Sequence, residues 1–87
     1  MHATKRWNVA IEIDEHDGRT RAVARLEGTA ELTGVGLARR SPEDPDVPQI
    51  GDELAVARAL SELSHHLLDA TATDIEKVTH QPAHVRI

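Results

Sequence analysis

The stretch that most constrains this chain is Ile50–Leu68, IGDELAVARALSELSHHLL, the only long run with helical periodicity. Leu54, Ala57, Leu60, Leu63 (or Ser64) and Leu67 fall at steps of three and four, which lines them along one face of a helix. Val56 and Leu68 widen the stripe, while Asp52, Glu53, Glu62 and Asp69 keep to other sides. Burying a leucine fully contributes roughly 1.5–3 kcal/mol, so a face of this kind must pack on something.

The surface for it to pack on is expected from the first forty residues. Trp7, Val9, Ile11 and Ile13 alternate with Arg6, Asn8, Glu12 and Asp14, the period of two of a strand over Arg6–Asp14 that buries one face. Glu15-His16-Asp17-Gly18 supplies a turn whose Asp-Gly pair accepts positive φ. A second strand, Arg19–Glu27, sets Thr20, Ala22, Ala24 and Leu26 on one face and Arg19, Arg21, Val23, Arg25 and Glu27 on the other. Its small alanines would let a helix approach closely. Gly28–Ala30 allows another hairpin turn. In a third strand, Glu31–Arg39, Leu32 points one way and Val35 and Leu37 the other, with Gly34 and Gly36 between, a pattern that suggests a bulge.

Ser41–Gln49, SPEDPDVPQ, holds three prolines and three acidic residues and reads as the loop leading to the helix. Gly51 followed by Asp52-Glu53 suits a helix start, because carboxylates in the first turn complement the positive end of the dipole. Thr71 and Thr73 are better caps than interior residues, and Thr73-Asp74-Ile75-Glu76 matches a capping box. A short second helix over Asp74–Thr79 is therefore expected, ended by Pro82, with His84-Val85-Arg86-Ile87 as a strand-like tail. The fold class that results is α+β, one domain over residues 1–87. It comprises a three-stranded antiparallel sheet followed by a long helix, a short second helix and the tail.

Eighty-seven residues bury only roughly 60–65% of the unfolded surface. With no Phe, no Tyr and a single Trp, the core lacks large fillers, which makes a homodimer a physical expectation. The dimer is expected to form through the sheet edge and the tail, with Val85 and Ile87 as its apolar grip. No cysteine is present, so disulfides and thiolate chemistry are excluded. No apolar run approaches the roughly 20 residues needed to span a bilayer, and a cytoplasmic protein without membrane association is the default.

Six histidines raise a metal hypothesis. Against it, Pro82 separates His80 from His84, His65 and His66 point about 100° apart on a helix, and no HExxH pattern occurs. Catalysis lacks a nucleophile with a positioned base, since Ser61 and Ser64 sit among leucines and no GxSxG elbow exists. Gly34-Val35-Gly36 is not followed by GK[ST] or an opening helix, which weakens a phosphate-loop reading. No catalytic residue, metal, cofactor or small-molecule substrate is expected.

Nucleic acid carries more weight. The net charge of −5 argues against bulk affinity, but the charge is uneven. Residues 1–40 carry seven Lys/Arg against six Asp/Glu, whereas residues 41–87 carry three against nine. An exposed odd face of the second strand would set Arg19, Arg21 and Arg25 in a row with spacings of about 7 and 13 Å. Lys5, Arg6, Arg39 and Arg40 would flank it and could hold phosphates. Base stacking is nearly excluded with Trp7 the only aromatic residue. The plainer alternative is a solvated face whose arginines pair with Glu12, Asp14 and Glu27 across strands.

Three stretches carry a family likeness: IDEHDGRTRAVARL (13–26), GVGLARRSPEDPDVPQIGDELAVARALSEL (34–63) and DIEKVTHQPAHV (74–85). They resemble a small actinobacterial domain family of unknown function whose members are linked to hypoxia and dormancy. The resemblance implies a homodimer in which three antiparallel strands and a long helix pack against the partner. It also implies a likeness in shape to the ribosome hibernation-promoting factors, which silence translation on the small subunit. This chain departs from those factors in charge, since they are basic and it is acidic overall. The resemblance thus implies a stress-associated, non-enzymatic role and leaves the partner open; with the arginine-bearing sheet, the expected function is a binding protein of the ribosome or RNA. The alternative is a dimeric protein-interaction module that binds no nucleic acid.

Overall fold

The computed structural model describes residues 2–28 and 31–86. Three strands, β1 (Asn8–His16), β2 (Arg19–Glu27) and β3 (Leu32–Arg39), precede one helix, α1 (Pro48–Thr79). The strands form an antiparallel sheet in the order β1-β2-β3, so β2 is central. Asp17 and Gly18 join β1 to β2 with φ of 49° and 73°, the two positive values that the right-handed twist of a tight hairpin demands. The turn expected at Gly28–Ala30 lies partly outside the described residues.

The alternation read along β2 holds: Thr20, Ala22, Ala24 and Leu26 are buried, and Arg19, Arg21 and Arg25 are exposed. β3 corrects its reading. It pairs with β2 without interruption from Leu32 opposite Leu26 to Arg39 opposite Arg19, so it has no bulge. Leu32, Gly34, Gly36 and Ala38 share the helix-facing side, and the apparent change of face arose because glycine has no side chain to mark which way it points. A Cβ on Gly34 would collide with the Ala59 carbonyl and fall 2.9 Å from Leu63 Cα. One on Gly36 would collide with the Ala55 carbonyl and fall 2.9 Å from the Arg58 carbonyl carbon. The helix backbone rests on the strand backbone.

That closeness also corrects the face of the helix. The buried residues of α1 are Ala55, Ala59 and Leu63, at steps of four, flanked by half-buried Val56 and Leu67. Leu54 and Leu60 are each 41% exposed, and Ala57 is exposed as well. Where Gly34 and Gly36 bring the two backbones together only small side chains fit, so the helix is rolled until Ala55 and Ala59 meet Ala22, Ala24 and the glycines, with Leu63 buried at the end of the row. Ala22, Ala24, Ala55 and Ala59 have no exposed surface at all.

The helix is also single, not two. It starts at Pro48, where the missing N–H is no loss, and Val47 before it makes no side-chain cap. Asp52 and Glu53 therefore lie beyond the first turn. The expected break at Thr71–Thr73 is absent because the Thr71 hydroxyl donates to the Leu67 carbonyl at 2.8 Å, a bond a continuing helix accommodates. The helix ends at Thr79, and His80 takes the left-handed conformation with its N–H donating to Glu76 O at 2.7 Å. Residues 81–86 form no strand. Ala83 N–H donates to Glu76 Oε2 at 2.9 Å, so the tail returns to its own helix. Val85 is half-buried and Ile87 lies outside the described residues.

The last correction concerns β1. Val9, Ile11 and Ile13 stand opposite Leu26, Ala24 and Ala22 and therefore on the helix side of the sheet, as the alternation implies. The helix, however, lies over β2 and β3. Val9, Ile11 and Ile13 remain 41%, 38% and 42% exposed, and Trp7 just before them is 55% exposed.

Candidate nucleic-acid interface

The far side of the sheet carries no helix, and the register fixes what it displays. Each row across it is set by strand pairing: Ala10–Arg25–Thr33, Glu12–Val23–Val35, Asp14–Arg21–Leu37 and His16–Arg19–Arg39. Arg19, Arg21, Arg25 and Arg39 are all exposed. The arginine row read from β2 is thus present and gains Arg39, which stands directly across from Arg19.

Like charges directly opposite one another weaken a strand pair. Arg19, Arg21 and Arg39 nonetheless have no carboxylate within 4 Å among the described residues, whereas Arg25 Nη1 lies 3.9 Å from Glu12 Oε1. That pair is well exposed and contributes little. The cross-strand pairing expected with Asp14 and Glu27 is not formed among the described residues. Around Arg19, Arg21 and Arg39, with Asp14, His16 and Leu37, lies a shallow depression of about 570 Å³. Arg58 reaches it from the helix, passing round the edge of β3. No strand pattern could have found Arg58, whose place depends on how the helix lies across β3.

The other predicted cations do not join this group. Arg40 continues β3 by donating its N–H to Gly18 O at 2.9 Å, but its side chain turns to the proline-rich loop. There its Nη1 donates to Asp44 O at 3.0 Å, and its Nε lies 3.7 Å from Asp46. Lys5 and Arg6 precede the end of β1 that pairs with Glu27, the end of the sheet away from Arg19 and Arg39. The seven cations therefore split into Arg19, Arg21 and Arg39 at the hairpin end, Arg25 midway, a separate N-terminal pair, and Arg40 turned to the loop.

Three of the six histidines and the glycine motif make structural contacts. His65 Nδ1 donates to Ser61 O at 2.8 Å, His66 Nδ1 to Thr33 O at 2.6 Å, and His80 caps the helix. Gly34 and Gly36 are buried under the helix, out of reach of a phosphate. Among the described residues no helix is long and apolar enough to cross a membrane.

A family model described as Rv2632c-like matches residues 5–84. Uncharacterized protein Mb1767 of Mycobacterium bovis is 59% identical over 83 residues, covering 94% of this chain and 88% of that protein. Uncharacterized protein Rv2632c of Mycobacterium tuberculosis is 54% identical over 82 residues, covering 93% of this chain and 88% of its own length. The crystal structure of Rv2632c superposes with a TM-score of 0.84 over 93% of this chain and 98% of that one. A sheet of three antiparallel strands with one long helix therefore accompanies this sequence pattern in a solved relative.

Proposed function

This chain belongs to the Rv2632c-like family, and from that premise we propose that it is a small, non-catalytic binding protein of the hypoxia and dormancy response. In this reading it engages the ribosome or RNA through the open face of its sheet. The observation that carries the proposal is the pairing of Arg19 with Arg39 beside Arg21, three exposed guanidinium groups without a carboxylate partner among the described residues. Six acidic residues, Asp52, Glu53, Glu62, Asp69, Asp74 and Glu76, ride on the helix across the sheet, so the net charge of −5 does not describe this face. Guanidinium groups at strand spacing suit successive phosphates, which position a polyanion without reading its bases. The dormancy part of the proposal rests on the likeness carried by the sequence motifs.

Sedimentation with ribosomes at two salt concentrations tests it. Phosphate-driven binding falls steeply between them, and Arg19, Arg21 and Arg25 replaced together by Glu abolish it. Association that ignores salt, or none at either concentration, moves the assignment to a dimeric protein-interaction module.

A second reading, the homodimer, is favoured by its own observation. Val9, Ile11 and Ile13 form a partly exposed apolar row on an edge strand, and Val56 and Leu67 of the helix are only half-buried. A second copy that covered this row would share one core with the first and leave both arginine faces open. The contact then lies on β1, while the tail is tied to its own helix through Ala83 and Glu76. Light scattering settles it, since a protein that remains monomeric at high micromolar concentration sinks the dimer.

A further inference from the structure

The outer edge of β3 is partly occupied, by side chains of the helix. Arg58 Nη1 donates to Leu37 O at 2.6 Å, and Val35 N–H donates to a carboxylate oxygen of Glu62. His66 Nδ1 donates to Thr33 O at 2.6 Å, which places a proton on that nitrogen, and its Nε2 lies 3.8 Å from Glu62. These three helix residues are four apart, and the three strand residues are two apart in the opposite direction. Four residues of helix rise about 6 Å and two of strand about 6.6 Å, so the repeats stay in step. Donors meet the two carbonyls and an acceptor meets the N–H. A neighbouring antiparallel strand would bond both the N–H and the C=O of each of these residues, and the helix takes half of that pattern, one group on each residue.

Strand pairing alternates, so if the odd residues of β3 face outward, its even residues bond β2. Carried across β2, the same alternation turns the backbone groups of Val9, Ile11 and Ile13 to the outside of β1. We infer that Arg58, Glu62 and His66 act as a side-chain strand that guards the β3 edge against a second copy of this chain, so that the sheet can be extended only at β1. An edge strand with free N–H and C=O groups is a template for pairing. A sheet with two such edges can add copies without end, whereas one with a single free edge stops at two.

The test replaces Arg58→Ala, Glu62→Ala and His66→Ala together and follows mass by light scattering across a concentration series. Wild type keeps one limiting mass. The triple variant gains species of at least twice that mass, in an amount that rises with concentration. Adding Val35→Pro, which removes the central edge N–H and sets a proline ring in the pairing edge without touching β2, returns the wild-type mass. A triple variant with native circular dichroism and unchanged mass overturns the inference, as does growth that Val35→Pro leaves in place. If the triple variant does not fold, Arg58→Ala with His66→Ala is read by the same criteria. Neither result depends on the homodimer, because the measure is the gain over wild type, and a monomeric wild type defeats only the dimer.

Discussion

β1 and β3 flank the same central strand, yet they are finished differently. β3 lies beneath the helix with Gly34 and Gly36 against the helix backbone, and its edge is held by Arg58, Glu62 and His66. β1 turns Val9, Ile11 and Ile13 to the same side of the sheet and leaves them about two-fifths exposed. Hydrophobicity alone would place the helix over β1, whose Val9, Ile11 and Ile13 are larger apolar residues than the Gly34, Gly36 and Ala38 of β3 on the same side. Side-chain size explains why it lies elsewhere. Branched residues hold a helix at a distance, while two glycines and Ala38 let backbone meet backbone, and dispersion between close surfaces rewards that approach. Position in this fold is governed by what is absent from the side chains of β3.

Three substitutions probe that contrast. Gly36→Ala drives a methyl into the Ala55 carbonyl and the helix must lift; we expect a loss of at least about 3 kcal/mol, the upper range for overpacking. At this chain length that lowers the melting temperature by roughly 12–24 °C, read by thermal circular dichroism. A shift under a few degrees would mean that the helix is not seated on the glycines. On the other strand, Ile11→Ala in an isolated subunit removes a side chain that is 38% exposed and costs about 1 kcal/mol or less. Should a second copy cover it, the loss grows with protein concentration, and denaturant melts at two concentrations separate the cases. The smallest effect is expected for Arg58→Lys, which keeps the charge but loses the guanidinium fork beside Leu37 O, at under about 1 kcal/mol for so exposed a bond.

Much of the sheet was legible because strand alternation is local. Thr20, Ala22, Ala24 and Leu26 announce one face of β2, Asp17-Gly18 announces the hairpin, and the arginines of β2 fall to the open side without further assumption. The helix face was legible in part: Leu63 is buried and Val56 and Leu67 pack against the core as the spacing implies, but ranking by hydropathy sets Leu54 and Leu60 above Ala55 and Ala59, and only the glycines of another element reverse the order. Thr71 looked like a stop because its back-bond to Leu67 competes with capping, and local chemistry does not decide between them. Nothing in the sequence groups Arg58, Glu62 and His66; their common task needs the helix and β3 to be antiparallel and adjacent. The candidate site divides in the same way. Arg19, Arg21 and Arg25 come from one strand's pattern, whereas Arg39 joins through register and Arg58 through packing.

The alanine-lined seam between α1 and the sheet bears on how the fold responds to temperature. Unfolding raises the heat capacity chiefly by wetting apolar surface, and polar backbone exposed at the same time lowers it. Among the described residues, five of the seven core positions are alanine, and the large side chains of β1 are already partly wet before unfolding begins. For an isolated subunit the heat-capacity increment should fall below the roughly 12–15 cal/mol/K per residue of ordinary domains. A smaller increment bends the stability curve less, so whatever stability the subunit has changes slowly on warming and on cooling. A seam of methyl groups against peptide planes gives breadth in temperature more than height.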